Sequence, residues 1–150
     1  MTSKAVVEDF LAQKTLAVVG VSRSGNKFGN MAYRELKAKG YQVIPVHPQA
    51  ESIEGDKAYP SLGAIPQKPG GVLVVVSPAQ AEKVVQDAAQ AGITRVWLQQ
   101  GAESPAAIQF CKDNDINLVH NECIMMFAKP VGFGHNIHRW LWGVLGKLPK

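Results

Sequence analysis

Cysteine is scarce: only Cys111 and Cys123 occur in 150 residues, with no C-x-x-C pair and no His–Cys spacing suited to zinc. A disulfide framework and a structural metal site are thereby excluded, and the usage suits a reducing compartment. Long apolar runs are also lacking. No window approaches the length of a membrane span, and the opening stretch MTSKAVVEDFLAQKT carries Glu8 and Asp9 where a signal peptide needs an uninterrupted apolar region. A cytoplasmic protein is expected. Charge runs are missing too: 16 basic against 12 acidic side chains give +4, spread along the chain. The excess favours small anionic ligands and gives no nucleic-acid footprint. No internal repeat or low-complexity tract breaks the sequence.

What is present is a chain 46% hydrophobic, long enough to bury one core without staples. Five short β-branched runs read as strands: 16–20, 41–46, 72–77, 94–98 and 116–120. An amphipathic helix over 3–13 precedes them, and helical segments over 30–39, 78–91 and 104–113 lie between them, the last opened by a Ser-Pro that suits a cap followed by the first helical position. Alternation of this kind predicts an α/β, Rossmann-like three-layer fold: a parallel five-stranded sheet with helices on both faces. The connection from His47 to Gly71 is broken by four prolines and reads as a structured crossover with at most a short helical turn. The expected organisation is one domain over 1–130 and an amphipathic C-terminal helical tail over 131–150.

The first strand runs into AVVGVSRSGNKFGN, with Gly20, Gly25 and Gly29 in a loop that opens a helix. Backbone N–H groups and the helix dipole make such a loop an anion site. A P-loop requires G-x-x-x-x-G-K-[ST]; here Gly25 is followed by Asn26, Lys27 and Phe28, which removes the magnesium-binding hydroxyl and argues against ATP hydrolysis. A dinucleotide fingerprint requires G-x-G-x-x-G and an acid ending the second strand; here the spacing is G-x4-G-x3-G and the strand ends Val46-His47-Pro48. NAD is disfavoured on both counts and NADP on the loop spacing. A phosphate-rich ligand served by Ser22, Arg23, Ser24 and Lys27 remains.

In order along the chain, AVVGVSRSGNKFGN, GYQVIPVHP, AYPSL and VWLQQGA resemble the small stand-alone CoA-binding domain proteins, and through them the N-terminal CoA-binding domain of the succinyl-CoA synthetase α subunit. The resemblance covers about residues 10–125. It implies coenzyme A or an acyl-CoA as ligand, with contacts at Ser22, Arg23, Ser24 and Gly25 and again at Gln99, Gln100 and Gly101. Ala50 and Gln100 stand where the synthetase has a lysine and a glutamate. The resemblance brings no catalysis, because the phosphohistidine of the synthetase lies in a second domain.

Placement at the carboxyl ends of the strands adds Gly20, Val21, Phe28, Val46, His47 and Ser77, and Ser77-Pro78, within VSPA, resembles the family's apolar-proline wall of the adenine pocket. Two other function classes stay open: an NADP-dependent oxidoreductase, and a regulatory subunit whose tail forms a homodimer or recruits a partner. Trp97, Cys111 and Cys123 read as core. His120, Glu122 and Cys123 do not form a nucleophile set, because alternation sends Cys123 and Glu122 to opposite faces. His135 and His138 lack a third ligand for a metal.

Overall fold

The computed structural model describes residues 4–127. In chain order they form α1 (Lys4–Leu11), β1 (Thr15–Val19), α2 (Phe28–Ala38), β2 (Gln42–Val46), β3 (Ser52–Ile53), β4 (Asp56–Lys57), a 3-10 turn at Leu62–Ala64, β5 (Gly71–Val74), α3 (Pro78–Gln90), β6 (Arg95–Gln99), α4 (Pro105–Asp113), β7 (Asn117–Glu122) and a second 3-10 turn at Ile124–Met126. The expected tail over 131–150, with His135 and His138, lies outside the described residues.

Five strands pair in parallel in the order β2-β1-β5-β6-β7. Period-two alternation sorts their side chains into two cores. Leu16, Val18, Leu73, Trp97 and Val119 point to the face covered by α1 and α2, where they meet Phe10, Tyr33 and Leu36. Ala17, Val72, Val74, Val96 and Leu98 point to the other face and meet Ala81, Val85 and Cys111 from α3 and α4. Near-continuous apolar strands follow from this two-sided burial. Trp97 is fully buried, as expected, with Phe10 edge-on at 5.3 Å and Phe127 at 5.8 Å. Cys111 is buried and its thiol is pushed up to about 12 by desolvation; Cys123 packs against the first core.

Two segments differ from expectation. The strand expected over 72–77 ends at Val74. The crossover contains the expected short turn, at Leu62–Ala64, and also an antiparallel hairpin, Ser52–Ile53 with Asp56–Lys57. Glu54 and Gly55 both have positive φ, 53° and 81°, the backbone of a two-residue hairpin turn. The crossover also extends the sheet edge: Tyr59 N–H donates to Pro45 O at 3.1 Å and His47 N–H to Tyr59 O at 2.9 Å. Pro45 is tolerated because β2 is an edge strand, where its missing N–H breaks no ladder bond.

The hairpin is tied to α2 through Asp56, which accepts from Lys37 Nζ at 2.7 Å and from the buried Tyr33 hydroxyl. Burial drives the Tyr33 pKa far upward, aided by the hydrogen bond to Asp56, so the hydroxyl keeps its proton to donate. Burial also pulls the Asp56 carboxyl upward, but the bonds from Lys37 and Tyr33 outweigh it and hold that group below its ordinary value. Its contribution is therefore complete above about pH 4 and lost as pH falls through the lower folded value. Tyr33→Phe is expected to cost about 1–2 kcal/mol at neutral pH, with the deficit shrinking in acid. Urea unfolding of both proteins at pH 7 and pH 3 checks this; a deficit that does not change with pH contradicts the assignment.

Candidate functional site

From β1 the chain crosses to β2 on one side and then to β5 on the other, so the strand order switches between β1 and β5. Open α/β sheets have their crevice at that point, outside the carboxyl ends of the strands. A cleft of about 700 Å³ lies there, a size usual for small-molecule sites.

Backbone contacts build its floor. Gly20 has φ 119°, and a Cβ on it would stand 1.9 Å from Val75 O. A Cβ on Gly29 would stand 2.3 Å from Gly20 O. The first glycine makes the turn at the end of β1 and the last lets α2 press against it. Gly25 has φ 78°, and a Cβ on it would meet Glu54 Oε2 at 3.7 Å and Arg34 Nη1 at 4.0 Å, ordinary contacts, so its role is conformational. Two of these roles, the tight first turn and close helix–strand packing, are those of the outer glycines in the dinucleotide fingerprint, reached here with different spacing.

The loop between them is held by a side chain that the sequence reading missed. Asn30 is fully buried; its Oδ1 accepts from Ser22 N–H at 2.8 Å and its Nδ2 donates to Ser22 O at 2.9 Å and to Glu54 Oε2 at 2.9 Å. Glu54 Oε2 also accepts from Arg34 Nη1 at 2.8 Å, and the same nitrogen donates to Gly25 O at 3.2 Å. Hairpin, helix and loop are thus joined through one carboxylate. Only the position of Asn30, three residues into the helix that follows the loop, could have drawn attention to it.

Helix α2 starts at Lys27 with no side-chain cap, so its first amides remain available to an anion. Helix α3 starts at Ser77 and is also uncapped. Helix α4, by contrast, is capped: Ser104 Oγ accepts from Ala107 N–H at 3.1 Å. Both helices that open onto the crevice lack a side-chain cap at their start.

The cleft brings together six of the expected site residues: Gly20, Val21, Lys27, Val46, His47 and Ser77. His47 Nδ1 accepts from the Gln49 and Ala50 amides at 3.1 and 3.0 Å, which leaves the proton of the neutral ring on Nε2. The lining also contains Gln80, Lys83 and Val84, which the sequence reading did not select. They lie on one face of α3 at helical spacing, a signal available only once Ser77 is known to start the helix. No carboxylate lines the cleft.

Other expected positions lie outside this lining. Ser22, Arg23, Ser24 and Gly25 form the outer loop; Ser22 Oγ and Ser24 Oγ are 2.9 Å apart, and Arg23 Nη2 is 3.5 Å from Gln49 Oε1. Phe28 is exposed on α2, and Pro78 is the first residue of α3. Gln99 is buried, its Oε1 accepting from Ile124 N–H at 3.0 Å, while Gln100 and Gly101 are exposed beyond β6. Desolvation raises the half-buried Glu122 carboxyl at the end of β7. No group of three His, Cys, Asp or Glu suited to a metal occurs among the described residues, and no helix among them is long and apolar enough to cross a membrane.

Sheet order, two-sided helices and a switch-point crevice define a Rossmann-like α/β protein. Residues 14–129 match the model of the CoA binding domain family, and the chain belongs to that family. It is similar to the uncharacterized protein YneT of Bacillus subtilis, 29% identical over 123 residues that make up 81% of this chain and 91% of that one. It is also similar to acetate–CoA ligase [ADP-forming] II of Archaeoglobus fulgidus, 33% identical over 89 residues, 58% of this chain but 13% of the ligase. Among solved structures, a hypothetical protein from Pyrococcus horikoshii superposes with a TM-score of 0.77 at 30% identity, covering 83% of this chain and 88% of that one.

Gly20→Ala adds a methyl group where Val75 O stands and forces a positive φ on alanine, so a loss of at least about 2 kcal/mol is expected. Asn30→Ala removes the tether of Ser22 and is expected to cost about 1–3 kcal/mol, from unsatisfied groups left in the interior. Thermal denaturation of both variants reads these losses; a melting temperature unchanged in either would mean that its contact does not hold the loop.

Proposed function

We propose that this chain binds coenzyme A or an acyl-CoA in the switch-point cleft, acting as a binding module with no chemistry of its own. The observation that carries the reading is an acid-free cleft floored by the Gly20–Gly29 turn and flanked by the uncapped start of α2. Family membership supports the choice of ligand. In this reading the Phe28 and Gly29 amides and Lys27 take the pyrophosphate, with Ser22, Arg23 and Ser24 closing over it from the outer loop. Val46, Val76 and Val84 offer apolar surface for adenine, and the His47 Nε2–H is a donor to base or ribose. A CoA arm leaving the cleft past β5 would run toward Gln100 and Gly101.

A nicotinamide cofactor fits less well. A ribose diol is normally read by a carboxylate, and the cleft lining has none. The two free cysteines fit a cytoplasmic setting.

Calorimetric titration with CoA, acetyl-CoA, NADP, NAD and ATP at one salt concentration tests the proposal. CoA is expected to bind with micromolar affinity, and Lys27→Ala to weaken it about fivefold to twentyfold, the worth of one charge-assisted contact at a partly open site. Binding of NADP with none of CoA would reject the reading in favour of a reductase.

A further inference from the structure

The cleft contains two separated positive centres, and the pyrophosphate accounts for one. Lys27 lines the cleft from the start of α2, and Lys83 lines it from α3. The two walls offer charge by different means. On α2 the first amides are available. On α3 the first residue is Pro78, which has no N–H, so the start of that helix offers one amide fewer than α2. Positive charge on that wall comes from the Lys83 ammonium.

Lys83 is weakly engaged elsewhere. Its Nζ pairs with Asp87 Oδ1 at 2.8 Å on the same helix, with the lysine one turn before the acid, the less favourable order. The lysine side chain is 75% exposed, so solvent screens the pair. The ammonium can turn to a more highly charged anion with little loss. No carboxylate lines the cleft beside the two lysines.

The geometry points to a site that reads two phosphate centres, with Lys83 recognising a phosphate monoester on the ribose while the loop holds the pyrophosphate. This assignment rests on the CoA reading and adds the residue that sets its specificity. Coenzyme A carries both groups. Dephospho-CoA carries the pyrophosphate alone.

The test is calorimetric titration of the full chain and of Lys83→Gln and Lys83→Arg with CoA and with dephospho-CoA, each protein first shown to melt cooperatively. For the unchanged protein CoA should bind about tenfold more tightly than dephospho-CoA, a modest ratio because the lysine is exposed. Lys83→Gln should bring CoA down to the dephospho-CoA level without altering dephospho-CoA, and Lys83→Arg should restore most of the difference. Equal binding of the two ligands by the unchanged protein, or a glutamine variant that weakens both alike, overturns the assignment and leaves the CoA reading standing. No binding of either ligand by the folded protein rejects the CoA reading and this assignment together.

Discussion

Three backbone segments meet where no side chain fits, and the site depends on that meeting. Val75 O faces Gly20, and Gly20 O faces Gly29, at separations that a single methyl group would violate. The turn leaving β1 is thereby pressed against the end of β5, and the first turn of α2 against the end of β1. Because β1 and β5 are also the strands between which the chain reverses direction across the sheet, this close backbone packing lies under the crevice. Close packing transmits strain poorly tolerated elsewhere, so the floor is fixed before any side chain is placed on it.

The polar layer above that floor is organised from outside the sheet. Glu54 occupies a hairpin turn and is held there at positive φ, yet its carboxylate joins Asn30 and Arg34, and through them both ends of the glycine loop. Two residues further, Asp56 ties the same hairpin to Tyr33 and Lys37. A two-stranded element of four residues could not stand by itself in water. Here it is stabilised by α2, and in return it braces the loop that precedes α2.

The sheet was legible because each main strand is short, β-branched and bounded by turn residues, and because burial on both faces removes any polar alternation that could confuse it. The glycine loop was legible by composition. The hairpin was not: its turn is Glu-Gly, and glutamate gives no hint of the positive φ that asparagine or aspartate would have signalled in its place. Asn30 read as an ordinary helix residue, since nothing local distinguishes a buried tether from a solvated amide. Gln99 shows the converse. A glutamine ending a strand invites a ligand contact, but its amide oxygen is committed to Ile124, a partner 25 residues away that no local pattern reveals. Lys83 escaped notice for a different reason: lysines on exposed helix faces are common, and only the tertiary placement of α3 beside β5 gives this one a neighbourhood.

The contrast among helix ends has a thermodynamic consequence. Helix α4 ends an amide on its own serine, whereas the start of α2 has no side-chain cap. On the proposed reading, an anion seated there would complete the secondary structure that the chain itself leaves unfinished, so that occupancy and folding would be linked. A ligand at a hundred times its dissociation constant adds about 2.7 kcal/mol to the folded state, a sizeable share of the marginal stability of a small domain. On the proposed reading, the folded fraction of the protein would follow the concentration of its ligand.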